Sequence, residues 1–156
     1  MGEFVETMRT AIGPKITIPE PLVAYFEWIE SEGLVRQTET DPPETYALID
    51  PSCAESCLAI EVPVAGELDA WAGDDGQTMD NRLAAFCRTG GDGSRAALWL
   101  DDNGETQIVH LGSGSGSTSI GIMVDEPLDF LRALAIGYDE LCWPDNHDRT
   151  PLEIWE

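Results

Sequence analysis

Acidic and amide side chains that could hold a metal ion occur together at Asp101, Asp102, Asn103 and Glu105, in the stretch LDDNGETQIVHLGSGSGS. A calcium loop of the EF-hand type needs oxygen ligands at alternate positions before its glycine and a glutamate at position twelve. With Gly104 as that glycine, a tryptophan occupies the first ligand position. The pattern therefore favours acidic turn residues over a calcium site.

Zinc binding would require sulfur and nitrogen ligands in closely spaced pairs. The candidates are four cysteines and two histidines: Cys53, Cys57, Cys87, Cys142, His110 and His147. Cys53 and Cys57 form a CxxxC pair, but no second pair follows it downstream. We expect no metal site, and we expect the cysteines to be free thiols that pack as small apolar side chains.

The glycine-rich run GSGSGSTSIG could suggest a ligand loop, but it matches neither G-x-G-x-x-G nor a Gly-Lys-Ser/Thr phosphate motif. A G-x-S-x-G nucleophile elbow is also absent, because Gly114 stands where the serine belongs. His110 lies in the strand-like TQIVHL, where we expect it to be half-buried, and His147 lies in the acidic tail. We therefore expect no enzyme and no cofactor, and we interpret the glycine-rich run as a flexible link to the last helix.

The charge of the chain limits its partners. Thirty Asp and Glu residues against eight Lys and Arg residues give a net charge of −22 over 156 residues. Such a surface repels nucleic-acid phosphates and anionic lipid headgroups, and it attracts basic proteins. The alternative explanation is that the acids only keep the protein soluble. We expect a basic protein partner, and neither nucleic acid nor a membrane.

The N-terminal sequence carries Glu3 and Glu6 and lacks the apolar run of a signal peptide. No stretch approaches the ~18 apolar residues that span a bilayer. A cytoplasmic protein is expected.

The elements that would position these residues follow from hydrophobic periodicity. In ITIPEPLVAYFEWIESEGLV, Leu22, Phe26 and Ile29 recur at helical spacing after two prolines, and Gly33 is a plausible stop. TYALID is a short apolar run, and CLAIEVPVAG alternates as a strand does, with Pro63 at an edge or strand end.

A three-strand antiparallel meander is predicted from about 83 to 111, through LAAFCR, RAALWL and TQIVHL. Asn103-Gly104 is interpreted as a hairpin turn with positive φ at both positions. The last helix is predicted in DEPLDFLRALAIGYDELC, with Asp125 as N-cap and Pro127 in the first turn. Its apolar face is predicted at four positions, Leu128, Leu131, Ala135 and Tyr138, and two further leucines, Leu134 and Leu141, widen it. Gly137 could end this helix early.

These elements predict an α+β fold with a central, mostly antiparallel sheet and an N-terminal and a C-terminal helix packed on it. A chain of 156 residues fits a single domain over residues 1–156. We place its core at about 16–142 and a C-terminal tail at 143–156.

The order of three segments resembles the SMI1/KNR4 family, also called the SUKH superfamily. The segments are IPEPLVAYFEWIE, GGDGSRAALWLDDNGETQIVHLGSGS and PLDFLRALAIGYDEL, which span roughly residues 16 to 141. The resemblance implies an α+β fold with a central sheet and a role as a bacterial immunity protein that binds and neutralises a cognate toxin. It transfers no catalytic residue. The eukaryotic members are instead regulators of cell-wall synthesis.

The first hypothesis is therefore stoichiometric neutralisation of a basic toxin that acts in the cytosol, such as a nuclease or a deaminase. The second is a regulatory interaction module without a toxin, and the third is a small enzyme. The predicted contact residues are one tryptophan and five acids: Trp71, Asp74, Asp75, Asp101, Asp102 and Glu105. Trp71 is open to two interpretations, an interface hot spot or a core residue.

Overall fold

The structure is a computed structural model that describes residues 2–49, 56–64, 66–72, 82–114, 118–137 and 140–142. Its helices are α1 (Glu3–Ile12), α2 (Glu20–Ser31), α3 (Asp69–Ala72) and α4 (Pro127–Ile136). Its strands are β1 (Val35–Gln37), β2 (Thr45–Leu48), β3 (Ala59–Glu61), β4 (Leu83–Arg88), β5 (Arg95–Leu100), β6 (Thr106–Leu111) and β7 (Ile120–Val124). No helix among the described residues is long and apolar enough to cross a membrane.

The seven strands form one sheet in the order β1 to β7, and every neighbouring pair is antiparallel. Each strand therefore lies beside the one that precedes it in the chain. The α+β class and the antiparallel sheet are confirmed, and so are the three central strands of the predicted meander. β1 and β7 are the two edges.

One face of the sheet carries the main core. On it the rings of Phe26 in α2, Phe86 in β4 and Phe130 in α4 form a chain of edge-on contacts, with centroids 6.5 Å and 5.3 Å apart. All three side chains are fully buried. The predicted α2 stripe of Leu22, Phe26 and Ile29 is confirmed, since each residue is 0% exposed.

Helix α1 was not predicted from the sequence. Its buried residues Phe4, Val5, Met8 and Ile12 follow helical spacing, and Phe4 packs edge-on against Phe26 of α2 at 5.9 Å. The N-terminal part of the fold is therefore a pair of helices.

The opposite face of the sheet, called here the second face, carries a smaller apolar cluster near β4–β6. Leu68, in the segment 66–72, contributes to this cluster together with Ala97, Val109 and Leu111. Trp71 and Trp99 pack against it. Because this segment covers the second face only at β4–β6, the face in front of β1–β3 is open to a cavity.

The turn between β5 and β6 differs from the prediction. Only Gly104 has a positive φ, of 83°, and no residue other than glycine does so among the described residues. The N–H of Gly104 donates to the Asp101 carbonyl at 3.2 Å, and the N–H of Asp101 donates to the Glu105 carbonyl at 2.9 Å. This is a type I turn followed by a glycine in the left-handed conformation. The prediction of a turn with positive φ at both Asn103 and Gly104 was therefore wrong.

The glycine-rich run was predicted to lead to the last helix. In the structure it leads to β7 instead. The N–H of Gly112 donates to the Ser119 carbonyl at 2.9 Å, and Leu111 lies opposite Ile120. Residues 112–119 therefore join β6 to β7 in a hairpin, of which residues 115–117 lie outside the described residues.

The last helix begins with Pro127 in its first turn, as predicted, and ends at Gly137, which has φ 83° and ψ 33°. Two details were wrong. The N-cap is Glu126 rather than Asp125, and it makes no side-chain cap. Leu134 of the predicted face is buried, but its buried neighbour is Phe130, which was not predicted, whereas Leu128 is 46% exposed. Tyr138 lies outside the described residues.

Candidate functional site

The acids of the β5–β6 turn have different structural roles. The carboxylate of Asp101 accepts hydrogen bonds from the N–H groups of Asn103 and Glu105, both at 2.8 Å. The N–H of Glu105, followed by those of Asn103 and Gly104, holds the pKa of Asp101 below its ordinary value of 3.8. Asp101 therefore closes the turn, and its carboxylate is already engaged.

Asp102 and Glu105 project from the same turn into solvent. Asp102 forms a salt bridge with Arg82 at 2.7 Å, although its side chain is 92% exposed. The guanidinium of Arg82 lies 4.6 Å from the ring centre of Trp99, and its Nε donates to the Leu100 carbonyl at 2.9 Å. Asp102 and Glu105 are thus the two turn acids that a partner can reach.

The structure does not bring Trp71 together with these turn acids. The indole N–H of Trp71 donates to the Gly112 carbonyl at 2.8 Å. Gly112 follows the last residue of β6, whereas the turn precedes the first residue of this strand. A six-residue strand separates them by about 17 Å. Trp71 is half-buried against the second-face cluster, while Asp74 and Asp75 lie outside the described residues.

His110 lies in β6 opposite Ala96 and Gly121 and is only 2% exposed, so the expectation of half burial was wrong. His147 lies outside the described residues. No group of three possible metal ligands was found among the described side chains.

Three cysteines are described, and all are free thiols: Cys57, Cys87 and Cys142. Burial raises the pKa of Cys87 to about 12. Burial, with the nearby charges of Asp92 and Glu140, raises the pKa of Cys142 to about 11. Both thiols are therefore protonated at neutral pH and poor nucleophiles. Cys53 lies outside the described residues.

A charged cavity that the sequence did not reveal lies on the second face in front of β1–β3. Its volume is about 830 Å³. Tyr46 and Leu48 of β2 and Ala59 of β3 line it, and the β1–β2 loop and residues 62, 64 and 67 also border it. We call this space the β1–β3 cavity.

Two arginines line this cavity from adjacent strands, and each is bound to carboxylates of the same protein. Arg88 and Arg95 lie directly opposite each other in β4 and β5, a like-charge pair that would be unfavourable alone. Glu61 forms salt bridges with both. Glu67 forms a second salt bridge with Arg95 at 3.2 Å, and it accepts a hydrogen bond from the Val64 N–H.

Burial and an excess of acids alter the electrostatics of this cavity. Burial raises the pKa of Glu67, and the negative charge of Glu44 raises it further against the opposing hydrogen bond from Val64. Burial lowers the pKa of Arg95, and the negative charge of Glu44 opposes this decrease. Glu44 therefore acts electrostatically on both partly buried partners, Glu67 and Arg95, across the cavity.

Comparisons with protein-family models, curated proteins and solved structures found no match to this chain.

The charges on the described surface are strongly one-sided. Thirteen acids are exposed among the described residues, against three cations, Lys15, Arg36 and Arg132. Five of the seven described cations form salt bridges with the protein's own acids. Little positive charge is left for an anionic ligand, whereas carboxylates are available on both helices and loops.

The edge strand β7 also exposes apolar surface. Ile120 and Ile122 are 59% and 62% exposed. They lie opposite Leu111 and Val109, so they extend the apolar cluster of the second face to the edge of the sheet.

Proposed function

We propose that this protein is an immunity protein of the SMI1/KNR4 (SUKH) type that binds a basic toxin and neutralises it in the cytosol by forming a stoichiometric complex. The observation that carries the proposal is the one-sided surface, on which thirteen described acids are exposed against three cations. A surface of this kind accelerates the capture of a basic protein and repels nucleic acid. The three sequence segments that resemble the family support the same function.

An inhibitor of this kind needs no catalytic group of its own. Its affinity comes from covering the toxin with complementary charge and shape, and a typical interface buries about 800 Å² on each partner. The thiols of Cys87 and Cys142 are protonated at neutral pH because their pKa values are raised, and His110 is buried inside the sheet. Their environments favour binding over covalent catalysis.

Two positions at the β5–β6 turn are the first to test. Asp102 and Glu105 are exposed, and the turn that carries them is held by Asp101 and Gly104 rather than by these two side chains. Their charges can therefore be reversed while the turn is kept. Asp101 itself is unsuitable for this test because its loss would disturb the turn.

The experiment is co-expression with candidate toxins encoded beside this protein, scored by survival and by co-purification. We expect one toxin to form a 1:1 complex with the wild-type protein. Reversal of both turn acids (Asp102→Lys with Glu105→Lys) should weaken this complex at least tenfold, as loss of attractive contacts and new repulsion combine. A protein that protects against none of the neighbouring toxins and binds none of them would refute the proposal.

The matched control reverses two acids on α2, Glu20→Lys with Glu27→Lys, which changes the net charge by the same amount. Equal loss of affinity in both double variants would show that total charge, and not the turn, determines binding. Loss in the turn variant alone would assign the contact to the turn.

A further inference from the structure

Four features of the β1–β3 cavity together indicate the type of ligand that fits it. It is large, it lies on the uncovered part of the second face, its floor contains an aromatic ring, and carboxylates outnumber guanidinium groups in its lining. Ligand pockets in proteins usually measure ~300–1,000 Å³, so its volume of about 830 Å³ suits a whole side chain and its flanking backbone.

The charges in the lining determine the sign of the ligand. Four carboxylates, those of Glu39, Glu44, Glu61 and Glu67, face the two guanidinium groups of Arg88 and Arg95. Glu61 and Glu67 are bound to these arginines, so both positive charges are already neutralised. Two carboxylates, Glu39 and Glu44, remain at the exposed rim of the cavity.

The two arginines are also held in place by the chain itself. The Nε of Arg88 donates to the Cys57 carbonyl at 3.0 Å, and Arg95 is only 21% exposed. Neither side chain can swing out to meet Glu39 or Glu44 without breaking these contacts. The two carboxylates of the rim are therefore left accessible to a cation from outside.

The geometry points to a guanidinium group as that cation. A planar guanidinium can stack on an aromatic ring and bond a carboxylate with two parallel N–H groups. Tyr46 is half-buried in the floor of the cavity, and Glu44 is its near neighbour along the chain at the rim. A lysine ammonium would be attracted by the carboxylates of the rim. It could neither stack on the ring of Tyr46 nor bond the two oxygens of a carboxylate with parallel N–H groups.

We propose that the β1–β3 cavity binds an arginine side chain of the toxin, which inserts between the β1–β2 loop and residues 62, 64 and 67. This inference rests on the proposed function, because it takes the toxin as the source of the arginine. The cavity would contribute specificity, since its fixed arginines and carboxylates favour a cation of matching shape over any basic surface.

The binding chemistry can be tested without the toxin. The isotopically labelled protein is titrated with N-acetyl-arginine amide and, as a neutral ligand of the same shape, with the corresponding citrulline amide. We expect the backbone NMR signals of residues 37–46 and 61–67 to shift with the arginine compound only. Equal responses to both compounds, or none to either, would overturn the proposal.

Glu44→Gln is the variant that tests the rim. We expect it to weaken binding of the arginine compound about two- to fivefold, the effect of removing one exposed charge partner. Glu27→Gln, an equal charge change in α2, should leave the binding unchanged. Equal weakening by both variants would show that only the overall charge is sensed and would overturn a specific cavity.

The toxin complex then identifies the source of the arginine. We expect Glu44→Gln to weaken the complex by a similar factor, and the loss to disappear when the contacting toxin arginine is replaced by glutamine. An unchanged toxin affinity in Glu44→Gln would overturn the assignment to the partner, even if the free arginine compound binds. If that compound binds and no toxin does, the proposed function fails while the chemistry of the cavity stands.

Discussion

At the scale of single residues, acids that the sequence does not distinguish differ in role. Asp101 accepts hydrogen bonds from two backbone N–H groups, Asp102 forms a salt bridge with Arg82, and Glu44 affects two buried ionised groups from the rim of a cavity. The sequence predicted that the turn acids are exposed, but it could not distinguish the structural acid from the available ones. That distinction depends on the path of the backbone.

Replacing Asp101 with alanine should destabilise the protein at neutral pH, because the N–H groups of Asn103 and Glu105 lose their acceptor. Since the folded-state pKa of Asp101 is lowered below 3.8, its contribution is fully present above that pH. The contribution is lost as the pH falls through the lower folded-state value. The difference in urea midpoint between wild type and variant should therefore be largest at pH 7 and shrink progressively below pH 3.8.

Asp102→Ala is the control, because it removes a salt bridge whose acid is 92% exposed and leaves the turn intact. Such bridges contribute little to stability. If the two variants lose equal stability at pH 7, Asp101 has no special role in the turn.

The cavity was missed because its charged residues lie far apart in the sequence. Glu61, Arg88 and Arg95 meet only through the strand pairing of β3, β4 and β5. One signal was present, since Arg88 and Arg95 flank the TGGDGS turn and must lie close together if that turn is a hairpin. Two adjacent arginines on a sheet imply a nearby carboxylate, but the sequence does not identify it as Glu61.

At the scale of elements, long periodic segments were predicted well and short or edge segments were not. The α2 stripe and the three central strands follow their patterns because each has one buried face throughout. β7 was missed because it is an edge strand, with Ile120, Gly121 and Ile122 all exposed. Its sequence IGIMV lacks polar residues, so apolar and polar side chains do not alternate in it, and it directly follows the glycine- and serine-rich run that was interpreted as a link.

Helix α4 shows why periodicity alone does not choose a face. Leu128, Leu131 and Ala135 follow helical spacing, and so do Phe130 and Leu134. The structure buries the second pair, because Phe130 packs edge-on against Phe86 at 5.3 Å. The choice is thus made by a ring in β4, which the local sequence of the helix does not contain.

Two leucines in α4 test this orientation. Leu134→Ala should cost about 2–5 kcal/mol of unfolding free energy, because a side chain that is 4% exposed leaves a cavity. Leu128→Ala, at a position 46% exposed, should cost less than about 1 kcal/mol. Urea unfolding of the two variants measures the difference. The opposite ranking would mean that the helix presents its other face to the sheet.

At the scale of the whole molecule, the excess of acids has a thermodynamic consequence. A net charge of −22 on 156 residues repels itself more in the folded state than in the expanded chain. Five cations form salt bridges with acids of the same protein, but they offset only part of this repulsion, since thirteen described acids remain exposed. An attraction to basic proteins and a reduced stability at low salt are therefore two effects of the same surface.

Sodium chloride should raise the melting temperature, because salt reduces the Debye length from about 30 Å at 0.01 M to about 3 Å at 1 M and screens the exposed acids. Relief of about 1 kcal/mol of repulsion corresponds to a rise of about 2–4 °C for a domain of this size. Calorimetry across this salt range measures the rise. The variant Glu27→Gln with Glu32→Gln carries two fewer exposed acids, so it should start higher at low salt and gain less. A melting temperature that falls as sodium chloride is added would mean instead that screening of the exposed salt bridges outweighs the relief of surface repulsion.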